Sequence, residues 1–466
     1  MFSTRLHWLN GRCLSFRCGL TLGLLAGWSC CAWAASPAKT AVTHPYPEGD
    51  TGDLWLLAGQ SNMAGNGTLK ETIAPDPRIL FFANGDEWMP AREPWDSMFF
   101  PSGKPHGMVP DETHRLTVGA GPGPFFARHL IQFTQRPMGI IGVGTGKSMV
   151  LVWNPELADK GNPRFYGDTV QRVIKAGGYG KLKGVVWYQG ESDAVEYPSA
   201  SKVYQRQLLL FIDRLRTDTG NPDLPFIMVQ INRWVGNAVP GEPGKSRGGE
   251  KMADRFTTYT QTWEHVREVQ RQVAEKRKSV YLVSSIDLGV MADPIHLDYE
   301  SYQKLGWRIA EVALSEVYKM KDHATPIKLE SVTTEPLHAW RSGTVIPGRF
   351  TLRVRFSGVS GRLNSGGGEP TGFEMRTGKA DPLARMLFYR TEFDPQDPNV
   401  VLVTNCGPVP DKLKPVLYYG GGLNPYCNIV DDKGMSIPAF GPVPVPPMAS
   451  EGPAGKQPCQ SGKPKS

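Results

Sequence analysis

A serine stands directly beyond an apolar run. Leu54–Ala58 is followed by Gly59-Gln60-Ser61-Asn62-Met63-Ala64-Gly65. If the run is a parallel strand, Ser61 lies at the carboxyl edge of a sheet, where α/β folds place their sites. A hydroxyl there is either a nucleophile or the cap of the helix that follows. Free N–H groups at the start of such a helix would stabilise negative charge on or beside it. The elbow pattern Gly-x-Ser-x-Gly is not met, because Met63 takes the place of its last glycine.

Two further segments supply what a serine nucleophile needs. Asp293-Pro294-Ile295-His296 follows the last apolar run and precedes the last amphipathic segment. A hydroxyl needs a base to take its proton, and the base needs a partner that fixes its tautomer and stabilises its cation. Asp293 and His296, three residues apart on one loop, can do both jobs. The bland alternative is a surface histidine near a helix start. Trp187-Tyr188-Gln189-Gly190-Glu191-Ser192-Asp193 leaves another apolar run. There Gln189 could donate an amide N–H to an oxyanion, and Glu191 could orient a neighbour or cap the next helix. Gly142-Val143-Gly144-Thr145-Gly146-Lys147-Ser148 imitates a phosphate-binding loop. That pattern requires a glycine five residues before Gly146, where the chain has Ile141. No cysteine or histidine spacing matches a zinc site.

The elements that must position these residues follow from the hydrophobic pattern. Apolar runs at Leu54–Ala58, Ile79–Phe82, Met138–Val143, Gly184–Tyr188, Phe226–Ile231 and Val280–Ser284 alternate with amphipathic segments. The segments lie near 124–136, 167–176, 201–218, 257–277 and 300–319. The alternation predicts a parallel sheet covered by helices on both faces, and the unbroken apolar runs suit strands buried on both sides. Residues 84–120 and 232–256 break the pattern with many Pro, Gly and aromatic residues, and read as walls or lids of a site. From Thr325 short alternating runs such as Phe350–Phe356, Val400–Thr404 and Val416–Tyr419, set between turn residues, predict a separate all-β, sandwich-like domain over 326–440. Residues 441–466 are rich in Pro and Gly and read as a disordered tail.

Composition agrees with this layout. The chain has 466 residues, enough for two domains, with 40% hydrophobic and 21% charged residues. Its formal charge is +7, but residues 1–34 read as a signal peptide: a basic start, the apolar run Cys18–Ala32 and small residues before a cut after Ala34. An uncleaved anchor is the alternative. Removing this segment takes Arg5, Arg12 and Arg17 and no acid, leaving 49 basic against 45 acidic residues. So mild a balance argues against nucleic acid as a partner. Residues 35–52 form a polar leader. The protein then reads as secreted or periplasmic, with no stable membrane span after cleavage. Four of the seven cysteines leave with the signal; Cys406 and Cys427 are either a disulfide or two buried thiols, and Cys459 lies in the tail.

With these pieces in order, the chain resembles the sialate O-acetylesterase-like family of SGNH (GDSL-type) hydrolases, close to the acetylesterases active on xylan. The resemblance rests on Gly59-Gln60-Ser61-Asn62-Met63, on the Trp187–Asp193 segment and on Asp293–His296. Softer matches are 121–128, the stretch 139–153 ending in Trp153, and 417–440. It implies a three-layer α/β/α catalytic domain over 53–320 with a flavodoxin-like sheet, and no metal or cofactor. Carried over, Ser61 matches the nucleophile, His296 the general base and Asp293 its partner. The Ser61 N–H, a glycine of the second block and the Gln189 amide match the oxyanion hole. Glu191 matches an acid of the family motif, and Asp293 and Glu191 both remain open as the main partner of His296. The family has Gly-Gly-Thr before the tryptophan of the second block, where this chain has Gly146-Lys147-Ser148. Gly146 is therefore the expected oxyanion donor, with Gly144 the fallback, and Lys147 is either a cation near the site or a solvated side chain.

The function so implied is a secreted serine esterase that removes O-acetyl groups from a carbohydrate such as sialic acid or xylan. The alternative is a non-catalytic carbohydrate-binding protein on the same scaffold. In either case Trp88, Trp95, Phe99, Phe100 and Trp234 are candidates to stack on sugar rings, or they are satellite core.

Overall fold

The computed structural model describes residues 52–70, 74–83, 86–91, 119–157, 165–195, 198–235, 252–339, 341–377, 385–386, 388–409 and 413–447. The expected signal, the leader up to residue 51, Trp95, Phe99, Phe100 and Cys459, most of 84–120 and 232–256, and the expected tail beyond 447 lie outside these residues.

Seven strands form the central sheet: β1 (Asp53–Gly59), β2 (Ile79–Phe82), β3 (Trp88–Pro90), β4 (Met138–Gly144), β5 (Leu182–Tyr188), β6 (Phe226–Val229) and β7 (Val280–Val283). Their order is β3-β2-β4-β1-β5-β6-β7. All pairs are parallel except β2 with β3, a short antiparallel edge strand that the irregular 84–120 pattern did not reveal. Every residue of β1 and β4 is buried, as expected for strands covered on both faces. The helices are α1 (Ser61–Ala64), α2 (Pro122–Thr134), α3 (Phe165–Lys175), α4 (Glu191–Val195), α5 (Pro198–Ser201), α6 (Tyr204–Asp218), α7 (Met252–Lys276) and α8 (Tyr299–Val312).

Side-chain alternation along β1 and β5 assigns the two layers. Trp55 points to one face and meets Phe126 of α2 edge-on, with ring centroids 5.1 Å apart; α2 packs on α8 there. Trp187, which shares the register of Ala58 and so faces the other way, meets Phe211 of α6 at 4.5 Å. The strand order reverses about β1, which lies between β4 and β5. The loops leaving β1, β4 and β5 therefore open at the switch point of the sheet, where such folds bind ligands.

The C-terminal region is all antiparallel. Its strands are β8 (Lys328–His338), β9 (Val345–Ser357), β10 (Leu363–Asn364), β11 (Phe373–Thr377), β12 (Arg385–Met386), β13 (Phe388–Phe393), β14 (Val400–Asn405), β15 (Pro415–Tyr419), β16 (Val430–Asp431) and β17 (Phe440–Pro444). They make two four-stranded sheets, β13-β14-β9-β8 and β12-β11-β15-β17, and the two-stranded β10-β16. On β9 the period-two pattern buries Phe350, Leu352, Val354 and Phe356. Phe356 of one sheet meets Phe440 of the other at 6.3 Å, so the sheets share a core.

Two expectations need correction. Strand pairing of β17 with β15 runs to Pro444, beyond the boundary drawn at 440, because Val443 still packs its backbone against Leu417. Cys406 and Cys427 form no disulfide: Cys406 is exposed while Cys427 is buried, and both are free thiols. Burial pushes the Cys427 thiol up to about 12. Among the described residues, no helix is long and apolar enough to cross a membrane.

Candidate active site

The site begins at the end of β1. Gly59 has φ +147, and a Cβ there would lie 2.0 Å from the Tyr188 carbonyl oxygen of β5. Only glycine tolerates both, so the chain can turn off the sheet immediately. In the single turn of α1, the N–H groups of Met63 and Ala64 return to the Gln60 carbonyl, at 2.8 and 2.9 Å. Those of Ser61 and Asn62 lie outside that pattern, as first-turn N–H groups do.

Ser61 is brought against the loop that precedes α8. Its Oγ lies 2.8 Å from His296 Nε2, and His296 Nδ1 lies 2.5 Å from Asp293 Oδ2. The other Asp293 oxygen accepts the N–H groups of Ile295 and His296, at 2.9 and 3.2 Å. Partial burial pushes Asp293 upward, but the His296 hydrogen bond and these two N–H groups outweigh it and hold the carboxyl at about 2. An ionised acceptor at Nδ1 keeps the proton on that nitrogen and turns the Nε2 lone pair toward the serine. Asn66 Nδ2 also approaches Nε2, at 3.2 Å.

Asn62 is the residue that sequence reasoning passed over, and it ties the pieces together. Its Nδ2 donates to Glu191 Oε1 at 2.7 Å and to the Ile295 carbonyl at 3.2 Å. Its Oδ1 accepts from the Leu297 N–H at 3.3 Å and from the Tyr302 hydroxyl at 2.7 Å. All four hydrogen-bonding places of the amide are filled, and two of them flank His296 in the chain. The available signal was a polar side chain next to Ser61 in a segment otherwise bound for burial.

Glu191, open until now as a partner of His296, instead holds Asn62 from the start of α4. Burial raises its pKa, with the Asn62 bond opposing. Gln189 differs from expectation. It is fully buried, and its Nε2 donates to the Ser148 carbonyl at 2.9 Å and to Asp193 Oδ2. Both N–H groups are thus committed, one to the second block and one to Asp193, and neither points into an oxyanion hole. Asp193 also accepts the Val150 N–H at 2.9 Å, so Gln189 and Asp193 together pin the turn carrying Gly146. Burial pushes Asp193 up to about 7.

That turn leaves the sheet beside Ser61. Gly144 pairs with Gly59, and the Thr145 N–H reaches the Gly59 carbonyl at 2.9 Å. Strand β4 runs through Gly142, Val143 and Gly144, so no phosphate cradle forms there. Gly144 is packed on Ala64, with only 2.9 Å free for a Cβ. Gly146 is half-buried, and Lys147 is exposed with φ 56. Glycine reaches that left-handed conformation without strain, so this is a place that suits glycine better than lysine. Two of the candidate stacking aromatics are core: Trp88 is 7% exposed and Trp234 3%.

The model of the family described as carbohydrate esterase, sialic acid-specific acetylesterase, matches residues 51–315. The chain belongs to this family. The esterase is 26% identical over 298 residues to a probable carbohydrate esterase of Arabidopsis thaliana, covering 59% of this chain and 95% of that one. It also resembles the crystal structure of a carbohydrate acetylesterase from Xanthomonas citri. That likeness covers 84% of this chain and 80% of the other, at 20% identity and a TM-score of 0.56, and speaks to the fold. The esterase is accordingly a carboxylic ester hydrolase, and the Ser61–His296–Asp293 array falls inside the matched segment.

Proposed function

We propose that the esterase removes O-acetyl groups from a carbohydrate outside the cytoplasm, through an acyl-Ser61 intermediate. The observation that carries this reading is the unbroken hydrogen-bond line from Ser61 Oγ through His296 to Asp293, at 2.8 and 2.5 Å. Ser61 Oγ attacks the ester carbonyl as its proton passes to His296 Nε2. Asp293, ionised at any pH well above 2, stabilises the imidazolium without taking its proton. The oxyanion is received by the N–H groups of Ser61 and Gly146. His296 then returns the proton to the departing sugar oxygen, and water repeats the sequence on the acyl-Ser61 carbonyl to release acetate. The signal-like residues 1–34 support the export in this reading. The rival reading, a binding protein without catalysis, gains nothing from an aligned nucleophile and base.

The test is acetate release from 4-nitrophenyl acetate, acetylated xylan and O-acetylated sialic acid, with wild type beside Ser61→Ala. Turnover of at least one sugar ester that disappears in the variant is the expected result. A folded wild type inactive on all three would return the binding reading.

A further inference from the structure

We propose that the C-terminal β region is part of the reaction apparatus. Its Gly420–Leu423 turn fixes the Asn232–Val235 segment, which in turn holds the Asp293–His296 loop, and Arg267 is the positioning residue that joins them. This rests on the triad reading above.

Arg267 lies on α7 with 2% exposure, and its guanidinium is spent on backbone carbonyls. Nε donates to Ile231 at 3.2 Å and Nη2 to Asn232 at 2.7 Å, both just beyond β6. Nη1 donates to Gly420 at 3.0 Å and Gly422 at 2.7 Å, in the turn after β15. One planar fork thus clamps the catalytic sheet to the β region, a geometry a lysine cannot reproduce. From the other side Glu264 takes the Gly422 N–H and both arms of Arg376.

The clamp continues into the site. The Trp234 N–H donates to the Leu423 carbonyl at 2.8 Å, and its indole stacks on Trp263, whose own Nε1 binds the Asn232 carbonyl at 2.7 Å. The next N–H, that of Val235, donates to the Pro294 carbonyl at 2.9 Å. Pro294 lies between Asp293 and His296 in the loop that supplies both. The far end of that loop is held by Asn62 at Ile295 and Leu297. The Asp293–His296 pair is therefore fixed from two sides, by the nucleophile turn and by the β region. Displacing a reacting group by about 1 Å costs on the order of 100-fold in rate.

The test uses the full-length protein. Val235→Pro deletes the N–H to Pro294 at a residue 37% exposed, so the core stays closed. Arg267→Met removes the fork. Leu352→Ala, in the core of the β region but outside these contacts, is the stability control. Two readouts are taken: the far-downfield proton resonance of His296 Nδ1–H without substrate, and kcat and KM on 4-nitrophenyl acetate. In Val235→Pro and Arg267→Met the resonance should broaden or vanish, and kcat should fall about 10- to 100-fold at nearly constant KM. Leu352→Ala should lower the melting temperature and leave both readouts intact. A wild-type resonance and kcat in Val235→Pro would overturn the proposal, as would equal losses in Leu352→Ala. If Arg267→Met does not fold, Val235→Pro decides. If wild type hydrolyses no ester, the function reading falls and the resonance alone decides the positioning claim.

Discussion

Replacing Asn62 by alanine probes the account where stability and catalysis meet. The side chain makes four hydrogen bonds, two of them to buried groups: the Glu191 carboxylate and the Tyr302 hydroxyl. Losing a bond to a charged group costs about 1.5–3 kcal/mol, and stranding a buried hydroxyl about 1–3 kcal/mol. The bonds to Ile295 and Leu297 add less, since both are long. Allowing for relaxation, the sum is about 3–5 kcal/mol, within the usual margin of a folded domain, so the variant should fold and melt several degrees lower. Catalysis should fall further than stability implies. The lost anchors lie on either side of His296, and the aim of Nε2 at Ser61 should loosen, for about 10- to 100-fold in kcat. Asn62→Asp sharpens the test: it keeps the acceptor for Leu297 and Tyr302 but sets a second carboxylate against Glu191. Its stability should recover as falling pH lets the pair share a proton. Thermal unfolding and acetate-release kinetics across pH 4–8 read all of this. An Asn62→Ala enzyme within about 1 kcal/mol and threefold of wild type would refute the hub.

Four further outcomes follow from the geometry. Asp293→Asn should lower kcat by about 10³–10⁴-fold with KM little changed, by the tautomer argument, whereas Glu191→Gln, which can still accept from Asn62, should cost less than about tenfold; steady-state kinetics of the two variants compares them. Asp193 has its folded pKa raised from 3.8 to about 7. Its contribution is therefore fully present below about pH 4 and lost as pH rises through about 7, by at most about 4 kcal/mol, and Asp193→Asn should flatten that slope in urea titrations. Lys147→Gly should keep activity within about twofold and raise the melting temperature slightly, because it relieves a left-handed lysine. Thiol titration should label Cys406 in the native protein and Cys427 only after unfolding, and a reductant should leave the melting temperature unchanged.

The parallel sheet and the order of its helices were legible because doubly buried strands and amphipathic helices leave strong periodic signals; β2 was legible to the residue. Strand β3 was not, since its three residues pair antiparallel at an edge and carry no period of their own. The Ser61–His296–Asp293 array was legible because the three residues each follow a strand at the same sheet edge. The hub role of Asn62 and the tethering role of Gln189 were not, because spacing shows residue types and not which hydrogen bonds a buried amide completes. Trp88 and Trp234 show the same limit, as an aromatic in an irregular stretch reads alike whether it faces sugar or core. The β region reaches Pro294 only through two tertiary contacts in series, Leu423 with Trp234 and Val235 with Pro294, and no local pattern announces either.

The central claim is that Ser61 carries the acyl group. Acid-quenching the esterase during turnover of 4-nitrophenyl acetate, followed by mass spectrometry of its peptides, tests this most directly. One acetyl adduct is expected on the peptide containing Ser61, absent from Ser61→Ala along with turnover. Acetate release that persists in Ser61→Ala, or an adduct on another side chain, would contradict it.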